Sequence, residues 1–209
     1  MKYKYSRTYH LPWSLGRTSD DKTLSDVLCF EGKNVVVTEK MDGENTSIYN
    51  DYFHARSLDG RDHPSRSWLK QFHATFKHEI EDGWRICGEN LYAKHSIEYD
   101  NLKSYFYCFS IWDDTNTCLS WSDTVEYCKY LGIETVPVLW EGIFDESSIK
   151  NIKISENMEG YVIRNFCSFH YSEFKNNVAK FVRKDHVRPN AKHWLRSELV
   201  ANKLIKTEI

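Results

Sequence analysis

The chain has no surplus of positive charge: 28 lysines and arginines stand against 30 aspartates and glutamates in 209 residues, a formal net charge of −2. A protein that grips nucleic acid chiefly through phosphates carries a basic excess as its electrostatic footprint. Any such surface here must therefore be local. No run approaches the roughly 20 apolar residues that a membrane helix needs. The opening Met1-Lys2-Tyr3-Lys4-Tyr5 lacks the apolar core of a secretory signal. Six cysteines, at 29, 87, 108, 118, 128 and 167, include no Cys-x-x-Cys pair, which removes the usual zinc frameworks. Cys87, Cys108 and Cys128 lie in apolar segments and read as small buried hydrophobes, so a reducing, cytoplasmic location is expected. The nine histidines show no metal-ligand spacing, and His78-Glu79 lacks the second histidine of a zinc-protease helix. His10, His54, His63 and His186 read as surface or turn residues. Internal repeats and low-complexity segments are also missing.

What is present is apolar and aromatic: 41% hydrophobic residues and 15% Phe, Trp and Tyr, ample for the core of one domain. Residues 1–33 form an aromatic, irregular lead with a short helix expected near Leu24–Leu28. Strands are predicted at Asn34–Glu39, Thr46–Tyr49, Trp84–Glu89, Tyr105–Trp112, Thr135–Leu139, Gly160–Arg164 and Ala179–Arg183. Leu69, Phe72, Phe76 and Ile80 recur at helical spacing and predict a helix over Ser65–Ile80. Ser122 is a candidate cap for a helix that Gly132 would end. A short helix is expected near Glu146–Lys150 and an amphipathic one over Asn190–Ile205. Many short strands with few helices predict an α+β domain of two antiparallel sheets with a cleft between them. Lys180, Arg183, Lys184, Arg188, Lys192 and Arg196 make the last thirty residues locally basic, a pattern that a solvated helix face would also give.

The most informative stretch is Glu39-Lys40-Met41-Asp42-Gly43-Glu44-Asn45, directly after the apolar run Val35-Val36-Val37. It puts a lysine where a buried strand ends and a glycine where backbone can approach a ligand. An amine attacks phosphorus only when neutral, so its reference pKa of roughly 10.4 must be lowered by desolvation or nearby positive charge. A strand end in an apolar cleft can do that. Alone, Lys-x-Asp-Gly is more often a surface turn. It does not stand alone. Arg56-Ser57 follows the next strand, Gly88-Glu89 ends an aromatic one, and Phe106–Asp113 is a strand rich in aromatics. Met158-Glu159-Gly160-Tyr161-Val162-Ile163-Arg164 and Val178-Ala179-Lys180-Phe181-Val182-Arg183 complete the order.

This ordered series resembles the motifs of the covalent nucleotidyltransferases: DNA ligases, RNA ligases and mRNA capping enzymes. Asn45, where DNA ligases and capping enzymes usually carry arginine, is similar to the RNA ligase branch. Arg7–Ser14, Thr18–Asp21 and Lys180–Val187 also resemble small bacterial and phage RNA ligases. The resemblance implies a nucleotidyltransferase (ATP-grasp-like ligase) fold, with an adenylyltransferase domain over 34–187 and a helical tail over 188–209. It implies ATP and Mg2+ or Mn2+ as cofactors, a lysyl-AMP on Lys40, and RNA ends as substrate. It implies that Glu159 faces the metal, Lys180 reaches the α-phosphate, Glu89 binds the ribose hydroxyls and Phe109 stacks on adenine, with Phe106 and Trp112 as other candidates. Glu39 would contact the adenine edge, and Asn45 and Arg56 the reacting phosphate. The closest RNA ligases often carry two lysines spaced by one residue in the last motif. Here the second place is Val182; Arg183 or Lys184 is the candidate replacement, although strand alternation turns Arg183 away from Lys180. Tyr9, Pro12 and Trp13 are expected to pack on the domain. Relatives usually continue into a second domain, so RNA would be held by the catalytic domain, the lead, a protein partner or a further domain. A monomer is expected. A minimal DNA ligase, an mRNA guanylyltransferase and a degenerate RNA- or nucleotide-binding module are the alternatives.

Overall fold

The computed structural model describes residues 2–58, 63–184, 186 and 199–206. In chain order the strands and helices are β1 Tyr9–His10, β2 Asn34–Lys40, β3 Glu44–Ile48, β4 Phe53–Ala55, α1 Ser67–Phe76, β5 Arg85–Asn90, β6 Phe106–Trp112 and β7 Thr117–Cys118. Then follow α2 Trp121–Leu131, β8 Glu134–Thr135, β9 Val138–Ile143, α3 Glu146–Lys150, β10 Gly160–Asn165, β11 Phe169–His170 and β12 Val178–Val182. One sheet runs β1-β12-β10-β2-β9; the other runs β11-β7-β6-β5-β3-β4, with β8 beside β6. Pairing is antiparallel except at β1–β12 and β6–β8. The chain is the expected α+β domain of two mostly antiparallel sheets.

Three apolar clusters account for the layering. Val36, Met41, Cys87, Tyr107 and Phe109 pack between the sheets. Leu11, Leu24, Phe30, Val35, Val37 and Ile149 cover the outer face of the first sheet, so the lead and α3 form its lid. Leu69, Phe76, Ile86, Phe106, Ile111 and Cys128 bury the outer face of the second sheet under α1 and α2. Val35, Val36 and Val37 are all fully buried because β2 is central and covered on both faces. Burying each such side chain contributes roughly 1.5–3 kcal/mol. Tyr9 and Trp13 pack on the outer cluster, and the Trp13 indole donates to the Tyr161 hydroxyl at 2.9 Å.

The structure differs from the sequence expectations in four places. Thr135–Leu139 is not one strand. Pro137 has no N–H to donate, and the chain crosses there from β8 in one sheet to β9 in the other. The cap of α2 is Ser120, whose Oγ accepts from Asp123 N at 3.1 Å; Gly132 does end the helix, at φ 68°. The turn expected at Leu24–Leu28 lies at Leu28–Phe30 as 3-10 helix. Residues 199–206 are extended rather than helical, bridged at Ala93–Ala201 and Leu102–Leu204. The rest of that expected helix, with Lys192 and Arg196, lies outside the described residues, as does Arg188. Among the described residues no helix is long and apolar enough to cross a membrane.

Candidate active site

Strand register builds the cleft. Opposed residues in antiparallel strands share a face. Gly160 pairs with Lys40 and Val182, Val162 with Thr38 and Lys180, and Arg164 with Val36 and Val178. One face of the first sheet therefore presents Lys40, Thr38, Val162, Lys180 and Arg164 inward. From the second sheet, Asn45 pairs with Glu89 and Glu89 with Tyr107, and Phe109 lies further along β6. A cavity of about 240 Å³ lies between these faces. Glu39, Lys40, Asn45, Arg56, Glu89, Phe109 and Lys180 all line it. Glu159 does not line it but lies behind Lys40. Of the three candidate stacking aromatics only Phe109 reaches the cavity. Phe106 is buried in the outer cluster, and Trp112 stacks on Phe174.

The nucleophile candidate is held by a carboxylate. Lys40 Nζ donates to Glu159 Oε2 at 2.6 Å. Burial pushes the Lys40 amine down, but Glu159, Glu89 and Asp42 outweigh it, and the pKa lies above the ordinary lysine value. This reverses the expectation that the cleft lowers it: without ligand the amine faces three carboxyl groups and stays an ammonium. Lys180 goes the other way. Burial and the Lys40 charge lower it, against Asp21 and Glu159. Burial raises Glu89 to about 8, opposed by Lys40 and reinforced by Glu159 and Asp42. Its Oε1 accepts from Gly43 N at 3.2 Å. Burial also raises Glu39. Asn45 Oδ1 is buried without a partner. Arg56 is exposed at the mouth, just after β4.

The last motif has no second cation on Lys180's face. Arg183 donates instead to the carbonyls of Met158 at 2.8 Å and Glu156 at 3.1 Å. Val182 is buried, and Gly16 N donates to its carbonyl at 2.8 Å, so the lead occupies that place.

His186 is not a surface residue. It is buried, with Nε2 lying 3.8 Å from Asp42 Oδ1 and 3.7 Å from Glu159 Oε1. The other oxygen of Asp42 is committed to Ser96 N and Ile97 N, both at 2.8 Å, and that of Glu159 to Lys40. The three remaining donor atoms converge within 4.8 Å of one another. Two carboxylate oxygens and an imidazole are a donor set for a divalent cation, and the imidazole favours a transition metal such as manganese over magnesium, which takes oxygen ligands. Sequence spacing could not find this group, because its members lie far apart along the chain. Thr38 and Val162 could have been read from alternation with Lys40. Arg7 and Asp21, which also line the cavity, stood out only as parts of segments that resemble RNA ligases, with no role attached, and Tyr5 gave no local signal.

Two mostly antiparallel sheets around a lysine-bearing cleft are the arrangement of the nucleotidyltransferase fold. More narrowly, residues 33–182 match the RNA ligase family, and the chain belongs to it. No curated protein matches the chain. Among solved structures, a Naegleria gruberi RNA ligase with pyrophosphate aligns at TM-score 0.54 and 16% identity, over 87% of this chain and 61% of that one. A mutant of the same ligase with AMP and Mn aligns at 0.53 and 17%, over 85% and 60%. A putative ATP-dependent DNA ligase from Aquifex aeolicus aligns at 0.50 and 21%, over 75% and 45%. At these identities the likeness is one of fold, and this chain spans less than two thirds of each of those proteins.

Proposed function

We propose that the protein is an ATP-dependent RNA ligase that joins 5′-phosphate and 3′-hydroxyl ends through a lysyl-AMP on Lys40, in RNA repair. The observation that carries this is the register of the first sheet. It puts Lys40 and Lys180 on one inward face, with Glu89 and Phe109 opposite across a single cavity. That the Naegleria ligase was solved with ATP and Mn, with AMP and with pyrophosphate supports the nucleotide and the divalent metal.

In the first step the Lys40 amine forms a bond to the α-phosphorus of ATP as the bond to pyrophosphate breaks. The ammonium must first lose a proton, and Glu159 Oε2, at 2.6 Å, is the acceptor in place. Lys180 neutralises charge on the α-phosphate, Phe109 stacks on the base, and Glu89 takes the ribose hydroxyls, its carboxyl group keeping acceptor lone pairs even when protonated. Stacking of this kind is worth on the order of 1–3 kcal/mol. In the second step an oxygen of the RNA 5′-phosphate displaces Lys40 from AMP, and the lysine takes its proton back. In the third the 3′-hydroxyl attacks the activated phosphate and AMP leaves. Displacement at phosphorus is governed by positioning and charge neutralisation. Asp42, Glu159 and His186 would hold a divalent cation, which supplies further neutralisation when bound.

The test is incubation with α-labelled ATP or GTP and magnesium or manganese, followed by a denaturing gel. Label retained from ATP and not GTP supports the reading. Label from GTP alone would make the chain a guanylyltransferase.

A further inference from the structure

Lys180 has a built support that the proposed chemistry does not use. Its Nζ lies 3.3 Å from Oδ1 of Asp21, a residue of the lead 159 positions away. Asp21 is fixed from behind. Its Oδ2 accepts from Thr18 N at 3.0 Å and from Thr18 Oγ1 at 2.9 Å, and its own N donates to Thr18 O at 3.2 Å. The next residues are stitched to β1: His10 N donates to Lys22 O at 2.7 Å, and Leu24 N to His10 O at 2.8 Å. β1 in turn pairs with β12 so that His10 stands beside Lys180. The loop that carries Asp21 is thus tied to the strand that carries Lys180.

The same Oδ1 faces His10 Nε2, also at 3.3 Å. His10 is fully buried, and its Nδ1 lies 2.7 Å from Ser14 Oγ. Ser14 Oγ accepts from Val182 N at 2.9 Å. One hydrogen bond joins His10 Nδ1 and Ser14 Oγ, and the ring's Nε2 faces Asp21 Oδ1 at contact distance without a hydrogen bond of its own. Burial and the Lys180 charge hold His10 near pKa 4, so it is neutral at pH 7.

We infer that Asp21, backed by His10 and Ser14, is a positioning residue that fixes the Lys180 amine toward the cleft; what Lys180 does there rests on the ligase reading above. A lysine stem has four rotatable bonds, and pinning its head before the nucleotide arrives removes that disorder from the reaction. The charged or titratable groups facing Lys180 are Lys40 from β2, Glu159 before β10, His10 from β1 and Asp21 itself. Asp21 is the only one of them that touches Nζ. Its charge also keeps the amine protonated against burial and Lys40.

The experiment compares the full chain with Asp21→Asn and Asp21→Ala. Asparagine keeps one oxygen, which can serve Thr18 or Lys180 but not both; alanine keeps neither. Adenylate formation is followed against ATP concentration and pH, and the Lys180 amine is titrated by NMR in chain labelled at lysine Cε. Expected is a loss of about tenfold or more at saturating ATP for alanine and a smaller loss for asparagine, with the alkaline limb moved to lower pH. The Lys180 titration should fall by about one pH unit or more in both variants. Equal losses in the two variants would overturn positioning in favour of charge alone. An alanine variant with unchanged rate and unchanged Lys180 titration would overturn the inference altogether. If the wild-type chain takes no label from ATP, the ligase reading fails, while the NMR titration still decides whether Asp21 governs Lys180.

Discussion

Two lysines face one cavity, and each is held by a different carboxylate: Lys40 by Glu159 and Lys180 by Asp21. Lys40→Ala should abolish labelling by ATP and leave the thermal transition in place, because the side chain lies at a cleft wall and not in the core. Persistent label on that variant would mean another nucleophile. Glu159→Ala removes both the hydrogen-bond acceptor of Lys40 and a donor atom of the candidate metal group. Losing one preorganised electrostatic contact costs roughly 2.7–4 kcal/mol, so adenylation should drop about a hundredfold or more. A drop under about threefold would show that Glu159 stands outside the chemistry. His10 gives a prediction on stability. Its value of about 4 in the folded protein lies below the ordinary imidazole value of roughly 6.5. Between those pH values the unfolded chain binds more protons at this site, so stability rises with pH across that window and is lost as pH falls through it. Asp21, held well below the usual carboxylate range by Thr18, Lys180 and His10 against its burial, contributes stability that is fully present above the usual aspartate pKa and is lost only in stronger acid. Urea midpoints at pH 7 and pH 4.5 should differ less in His10→Gln than in the wild type. An identical difference would remove His10 as the cause.

At the scale of elements, Gly160 joins the Glu159 turn to β10. A Cβ there would lie 2.0 Å from the Phe181 carbonyl oxygen and 2.9 Å from its carbon. Gly160→Ala should cost about 3 kcal/mol, the upper part of the range for overpacking, and displace Glu159 with it. A urea midpoint equal to the wild type would show that the strand yields. β2, β5, β6, β10, β12 and the two longer helices were legible in the sequence, because each has a buried face with regular spacing or a clear cap. The motif residues on those strands were legible for the same reason, since a lysine or glutamate at a strand end is punctuated by its apolar run. What was not legible is set by long-range pairing. Pro137 divides a run of strand-forming residues between two sheets, and only the sheets decide that. The Lys40 charge state depends on Glu159, Glu89 and Asp42, which converge from separate segments. His186 and Asp21 enter the site through contacts spanning more than a hundred residues, which no local period records.

For the whole molecule, the question is which strand it reads. The 2′-hydroxyl is the group that separates RNA from DNA at a given site, and a chain without net positive charge has little to hold duplex DNA nonspecifically. Sealing should therefore require ribonucleotides at the 3′-hydroxyl end and tolerate deoxyribose on the 5′-phosphate side. Nicked and single-stranded substrates with ribose or deoxyribose on each side of the break test this, and equal sealing of an all-DNA nick would favour a DNA ligase. The strand order of the first sheet carries a last consequence. β2 pairs with β10, and β10 with β12, so Lys40 is synthesised early but its sheet closes only when the last strand arrives. At roughly 5–20 residues per second, on the order of ten seconds separate the translation of the two lysines. During that interval the nascent chain carries Lys40 without Lys180 beside it and a bare strand edge open to misassociation. A product that stops before residue 178 therefore lacks the strand that closes this face of the cleft.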